Sequence, residues 1–536
     1  MLILQNISYT LPNRDLLFSD ISLSLNPQDK IGLIGKNGVG KSTLLKIITG
    51  ELSPSHGNLH LETAPYYLPQ IFGQFDHLKV SEALGIEEKL QAFTAILDGK
   101  GSEENYASLD EDWTIEERCQ AALAYWKLGE LKWDRKLGSL SGGQKTRVFL
   151  AAISIHEPPC VLMDEPSNHL DTAGRELLYQ FILKSRSSLF IVSHDRKLLN
   201  HLEMICEMQK DGIRTYGGNY DFYREQIEIE RKALNQDLQN KELSLRKAKK
   251  KQKETKERQQ KLDSRGRKKH KKSGTPRVMM NKLKNDAEHT SSKLKNQHSK
   301  KVDSISQELR EIRASLPEID KMKFGFEDSS LHKGKTLCKA EGINYSYGGE
   351  VIWQENLNFY INSGQRLALK GSNGSGKTTL IRLILGELSP QRGILKRAMD
   401  HAVYIDQDYS LLNNSLKLYE QAQSFNNAHL QEHEIKIRLS RFLFGKGDWD
   451  KSCAALSGGE RMRLSLCCLT LSQQAPDLIV LDEPTNNLDL QNIEILSEAI
   501  NQYQGTLLVV SHDERFLEEI NVEDEIDLGN YDMQNA

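Results

Sequence analysis

Gly35-Lys36-Asn37-Gly38-Val39-Gly40-Lys41-Ser42 recurs in the second half of the chain as Gly371-Ser372-Asn373-Gly374-Ser375-Gly376-Lys377-Thr378. Both octamers match the phosphate-loop pattern G-x-x-x-x-G-K-[ST], which works only between a strand and a helix. Glycines there let backbone N–H groups converge on phosphate oxygens at a helix N-terminus; the lysine neutralises the β/γ oxygens and the hydroxyl ligates Mg²⁺. The candidate ATP-binding residues are therefore Gly35, Asn37, Gly38, Gly40, Lys41, Ser42 and Thr43, and again Gly371, Asn373, Gly374, Gly376, Lys377, Thr378 and Thr379. Working outward, Gly50-Glu51-Leu52-Ser53-Pro54 repeats as Gly386-Glu387-Leu388-Ser389-Pro390 at the same displacement, so the chain is an internal repeat. Each half opens with alternating strand-like segments (Ile7 to Tyr9 and Ile31 to Ile34; Ile343 to Tyr345 and Arg366 to Leu369). An apolar-periodic helix follows the loop, at Leu44 to Ile48 and Leu380 to Leu385. The apolar runs Val161 to Met163, Leu189 to Val192, Leu478 to Leu481 and Leu507 to Val510 read as buried parallel strands, giving two tandem α/β domains.

Composition bounds what surrounds these loops. A length of 536 residues suits two or three domains, and 27% charged residues with a mean hydropathy of -0.54 leave no run apolar enough for a membrane helix. The start, MLILQNISYT, lacks the features of a signal peptide, so a soluble, cytoplasmic protein is expected. Seven cysteines without C-x-x-C spacing are expected to be reduced filler. The net charge of -3 hides 23 Lys or Arg against 6 Asp or Glu between Lys241 and Lys301. Such a block repels itself unless it meets a polyanion, and nucleic acid is the usual partner. From Phe222 to Lys333 the composition is that of long helices, with breaks expected near Ser264-Arg265-Gly266 and Ser273-Gly274-Thr275-Pro276, so the segment should fold back as a hairpin. The expected domains are 1–222, a helical linker over 223–333, and 334–536.

Leu140-Ser141-Gly142-Gly143-Gln144 and Leu456-Ser457-Gly458-Gly459-Glu460 make the resemblance specific: both resemble the signature motif of ABC-type ATPases. In that family the motif reaches the γ-phosphate of the opposite cassette, which implies ATP contacts for Ser141, Gly142, Gly143, Gln144, Ser457, Gly458, Gly459 and Glu460. The strands running into Asp164-Glu165 and Asp482-Glu483 resemble the Walker B site, with Asp164 and Asp482 toward Mg²⁺ and Glu165 and Glu483 polarising the attacking water. Pro166 to Asp171 and Pro484 to Asp489 resemble the D-loop that couples the sites. His194 and His512 stand at the same separation from their Walker B aspartates, each at the end of an apolar strand, and match the switch histidine. Gln70 and Gln407 match the Mg²⁺-sensing Q-loop. Tyr9 and Tyr345 stand where ABC proteins commonly stack an aromatic ring on adenine, with Phe18, Tyr347 and Trp353 as alternatives.

Two cassettes in tandem with no membrane domain and a charged helical linker resemble the ABC-F family of ribosome-associated translation factors, over essentially the whole chain. The resemblance implies that the linker is a P-site tRNA interaction motif, entering the ribosomal exit-site region toward P-site tRNA and the peptidyl-transferase centre. The basic residues Arg265, Arg267, Lys268, Lys269, Lys271, Lys272 and Arg277 would then contact rRNA or tRNA phosphates, and Val278-Met279-Met280 would form an apolar tip. The first half carries about twenty extra residues between Q-loop and signature, an arm expected near 84–112 as a short helical pair. A short arm with a long linker turn resembles the antibiotic-resistance members more than the housekeeping factors that relieve stalled ribosomes. The short stretch after His512 leaves no C-terminal coiled coil to expect. A subunit serving a separate membrane transporter has no use for a basic hairpin, and DNA-repair ABC ATPases insert larger segments elsewhere. The expected form is a monomer whose two cassettes dimerise within the chain, using ATP and Mg²⁺.

Overall fold

The computed structural model describes residues 1–70, 72–270, 292–293, 296–297, 299–313, 334–372, 374–472 and 474–529. The chain divides into two compact units, one built from Met1–Tyr223 with Met322–Ala536 and the other from Arg224–Lys321.

The first unit holds both α/β cassettes. In the first cassette the sheet order is Tyr66–Leu68, Cys160–Asp164, Ser188–Val192, Lys30–Gly35, Met204–Gln209 and Gly212–Tyr216, parallel except at the last pair. The second cassette repeats it as Ala402–Ile405, Leu478–Asp482, Thr506–Val510, Arg366–Lys370 and Asp524–Asp527, all parallel. Strands covered on both faces need continuous apolar runs, and Val161, Leu162 and Met163 are all fully buried, as are Leu478 to Leu481. Each cassette adds an antiparallel sheet of three strands: Leu16–Leu25, Leu2–Thr10 and His56–Leu61, then Leu357–Asn362, Thr336–Asn344 and Arg392–Arg397. This topology puts each phosphate-loop strand inside its sheet, with the Walker B strand two places away, so that both open at the carboxyl edge where ligands bind in open α/β sheets. Within 84–112 lie two short helices, Glu87–Leu97 and Glu103–Leu109, the second capped by the Ser102 hydroxyl. Buried Ile86, Ala92 and Leu109 join the core beneath them.

In the second unit the helix Tyr220–His270, which begins in the first, runs for 51 residues, about 75 Å at the α-helical rise. It passes straight through Ser264-Arg265-Gly266, where the sequence leads one to expect a break. The reason is energetic: one glycine in a run of Lys, Arg and Gln costs only about 1 kcal/mol, well short of proline's ~3 kcal/mol. The other expected break, at Ser273-Gly274-Thr275-Pro276, lies outside the described residues. Residues 299–313 are helical again. Lys241 pairs with Glu308, and Arg313 donates to Glu242 at 2.7 Å, so the two helical segments lie side by side.

Candidate active site

The first phosphate loop leaves the strand Lys30–Gly35 and enters the helix Lys41–Ile48 through Gly38 at φ 80° and Gly40 at φ 109°, left-handed conformations that favour glycine. Gly40 has a second reason: a Cβ there would lie 2.7 Å from the Phe18 ring, just as one at Gly376 would lie 2.6 Å from Ile352 and 3.0 Å from Trp353 Nε1. Phe18 and Trp353 thus sit under the loops, 0% and 1% exposed, with Trp353 donating to the Ser375 carbonyl at 3.0 Å. Neither is open to a base. Tyr9 stacks on Phe18 at 6.2 Å, Tyr345 meets Tyr347 edge-on at 5.1 Å, and Tyr347 is 55% exposed. A cavity of about 490 Å³ covers the first loop; Leu11 and Leu17 line it rather than Tyr9.

Into this cavity come Lys41, Ser42, Thr43, Gln70, Asp164, Glu165 and His194 of the first cassette, and Thr485, Asn486 and Asn487 of the second. Lys41 donates to the Gly35 carbonyl at 2.7 Å and to His194 Nε2 at 3.1 Å. An ammonium can only donate, so Nε2 accepts and the ring proton sits on Nδ1. Burial lowers the Lys41 pKa, against the pull of Glu165, Asp489 and Asp164. Burial raises Asp164, while hydrogen bonds from Ser42 and Tyr67 and the Lys41 charge oppose the rise. The second site mirrors it: Lys377 donates to Gly371 and Ser372 carbonyls at 2.6 and 3.1 Å, and the Tyr404 hydroxyl donates to Asp482 at 2.8 Å. Gly374 and Gly376 are left-handed at φ 90° and 88°, next to Thr378 and Thr379 on their helix. Gln407 is exposed beyond the strand Ala402–Ile405, and Asn373 lies outside the described residues.

Both candidate bases adopt a backbone that side chains rarely take. Glu165 at φ 51° and Glu483 at φ 48° each give their N–H to the neighbouring strand, at Val192 and Val510, 2.8 Å away. Such strain persists where surrounding structure enforces it, and it turns both carboxylates off the strand end. The backbone N–H of His194 donates to Glu165 Oε2 at 3.2 Å, and the ring Nε2 of His512 stands 3.3 Å from Glu483 Oε1. Burial pushes Glu165 up to about 8 and Glu483 up to about 7, and it drives His194 well below its usual range and His512 down to about 4. The pKa of Glu165 has a consequence for stability. Below its ordinary value of 4.5 the carboxyl is protonated in both folded and unfolded chains; from there to about 8 the unfolded chain ionises first, so folded stability falls as pH rises. Thermal melts of nucleotide-free Glu165→Gln should show a Tm advantage over wild type that grows from about pH 5 to about pH 9; a constant or shrinking difference would contradict the buried, raised carboxyl.

The signature residues open the helices Gly142–His156 and Gly458–Leu469. Ser141 and Ser457 cap their helices in capping boxes with Gln144 and Glu460, and Glu460 also holds Lys451 at 2.8 Å. Their glycines face D-loops: a Cβ on Gly142 would lie 3.3 Å from the His169 ring, on Gly143 2.6 Å from the His169 carbonyl, on Gly458 3.5 Å from the Asn487 carbonyl and on Gly459 2.2 Å from Asn492. No signature residue lines the first cavity; the D-loop of the second cassette does. There Asn37 donates its backbone N–H to Asp489 Oδ2 and its side-chain amide to the Asn487 carbonyl, both at 2.8 Å. Sequence reasoning missed Tyr67 and Tyr404, although each lies just before its Q-loop glutamine. It also missed Arg175, which lines the first cavity from one turn past the D-loop. Of the basic linker residues, Arg265 is exposed on its helix and Arg267, Lys268 and Lys269 fall in the same helix, while Lys271, Lys272, Arg277 and Val278 to Met280 lie outside the described residues.

The comparisons with known proteins agree with this geometry. A family described as ABC transporter matches residues 18–168 and 354–486. ABC transporter F family member 5 of Arabidopsis thaliana is 29% identical over 94% of this chain and 72% of its own length. Ribosome protection protein VmlR of Bacillus subtilis is 28% identical over 96% and 84%. Among solved structures, archaeal ribosome recycling factor aABCE1, in complex with ribosomal stalk protein aP1, matches the fold at a TM-score of 0.62 and 20% identity, over 98% of this chain and 88% of that one. The chain belongs to the ABC family of ATP-binding cassette proteins, in its ABC-F group. Among the described residues no helix is long and apolar enough to cross a membrane.

Proposed function

We propose that this chain hydrolyses ATP at two facing sites and binds the ribosome in its exit-site region, where its linker acts on P-site tRNA and the peptidyl-transferase centre to protect against antibiotics. The observation that carries it is the joining of two complete sites, each with lysine, Walker B pair and switch histidine, to a basic helix of 51 residues. Supporting the ribosomal half is the full-length similarity to a protein named for ribosome protection. The site fits a magnesium nucleotide: Asp164 Oδ1 is buried without a partner, beside Ser42 and below a glycine cradle. Ser42 and Asp164 would hold Mg²⁺ at the first site and Thr378 and Asp482 at the second, with Gln70 and Gln407 nearby; when bound, the ion supplies positive charge against the phosphates. Lys41 and Lys377 exchange their loop carbonyls for phosphate oxygens on ATP binding. Glu165 and Glu483 then accept a proton from the attacking water, and His194 and His512 keep those carboxylates aimed.

Pelleting with ribosomes in ATP tests the linker. Changing Lys268, Lys269, Lys271 and Lys272 to glutamine should weaken binding and flatten its salt dependence, by about 0.7–0.9 in slope for each phosphate no longer neutralised. Changing Val278, Met279 and Met280 to alanine should leave binding intact and remove drug protection. Wild-type protein that stays off ribosomes in ATP would refute the ribosomal reading.

A further inference from the structure

From the Walker B pair to the switch histidine the two cassettes align without insertion or deletion, so Glu165 matches Glu483 and His194 matches His512. Within this window the first turn of the D-loop helix differs in character between the two repeats. Thr172 and Arg175 at the start of the first cassette's D-loop helix correspond to Leu490 and Ile493 in the second. These helices face the opposite cassette, so the difference falls on the partner's site. The Thr172 hydroxyl lies 2.8 Å from His512 Nδ1. Its counterpart Leu490 packs against the first cassette's core, and His194 Nδ1 is buried without a hydrogen-bond partner. His194 is instead gripped on its other nitrogen by Lys41 of its own loop.

Arg175 stands between the two sites, lining the first cavity and also a second cavity that it shares with Thr172 and His512. Its Nε donates to the Leu170 carbonyl at 3.2 Å and its guanidinium stands 3.8 Å from Asp195, which the Tyr179 hydroxyl holds at 2.7 Å. Its counterpart Ile493 is fully buried on the wall of the first cavity, which Arg175 also lines, so it is Thr172 that distinguishes the two sites.

We propose that the two ATP sites are unequal: Thr172 is a positioning residue that holds His512 of the second site in trans, whereas His194 is held from within its own cassette. Turnover at the second site then depends, through His512, on how the first cassette is seated, and the first site's histidine lacks that link. This inference rests on the reading that both sites hydrolyse ATP. In a Glu165→Gln background, which isolates the second site, Thr172→Val should lower kcat by roughly tenfold or more with KM for ATP unchanged. Thr172→Ser should restore it. In a Glu483→Gln background, Thr172→Val should leave the first site's turnover within about twofold. Equal loss in both backgrounds, a rise in KM alone, or no loss at the second site would overturn the proposal. So would zero turnover in both backgrounds with an active wild type, since the sites would then fire only as one unit. An inactive wild type would instead defeat the hydrolysis reading itself.

Discussion

We expect Glu165→Gln combined with Glu483→Gln to lower ATP turnover by about 10²- to 10⁴-fold, with ATP affinity kept within a few-fold of wild type. Glutamine preserves the size of each side chain and the acceptor facing the histidine, so the phosphate loops, Tyr67 and Tyr404 are undisturbed. What disappears is the group that can take a proton from water. Two features single these carboxylates out: a left-handed backbone at φ 51° and 48°, and burial that raises them toward neutral pH. Both are costs that a purely structural glutamate at a strand end would not need to carry. Phosphate release and equilibrium nucleotide binding, measured on the same preparation, separate the two effects. Undiminished phosphate release by the double variant would mean that the base is elsewhere.

The second large effect concerns Arg196. Its side chain is 2% exposed and bridges from the first cassette to Asp513 at 3.2 Å and Glu519 at 2.6 Å in the second. Removing it takes away the buried cation shared by Asp513 and Glu519, leaving Glu519 with Arg515 Nε at 3.9 Å and the Ser497 hydroxyl at 3.2 Å, and breaking such a buried pair costs about 3–5 kcal/mol. Arg196→Met should therefore loosen the cassette interface by about that amount, seen in urea as undocking before the cassettes themselves unfold. A transition unchanged to within about 1 kcal/mol would mean that the bridge contributes little in solution. Its counterpart in the second repeat is Glu514, so this clasp, like Thr172, breaks the symmetry between halves. Arg515 reinforces the same side, reaching Asp221 at 2.7 Å.

The parts of the protein legible in sequence are those whose chemistry is local. A phosphate loop needs its glycines, lysine and hydroxyl within one short stretch, so Gly35 to Ser42 and Gly371 to Thr378 announce a strand, a turn and a helix without any partner. The apolar runs ending in Asp164-Glu165 and Asp482-Glu483 likewise reveal buried parallel strands, because a strand covered on both faces cannot alternate. Length and composition make the linker helical, yet they mislead at Gly266, since a helix tolerates a single glycine whenever its neighbours strongly favour it. Tertiary structure alone decided which groups meet. Asn37 finds Asp489 across 452 residues, Thr172 finds His512 across 340, and Phe18 and Trp353 turn out to be supports beneath glycines rather than surfaces for a base. No sequence spacing encodes these pairings, because they arise where two separately folded cassettes or sheets press together. The same pressing makes two repeats of one pattern unequal, with Thr172 set against His512 of the second site and its counterpart Leu490 against the first cassette's core.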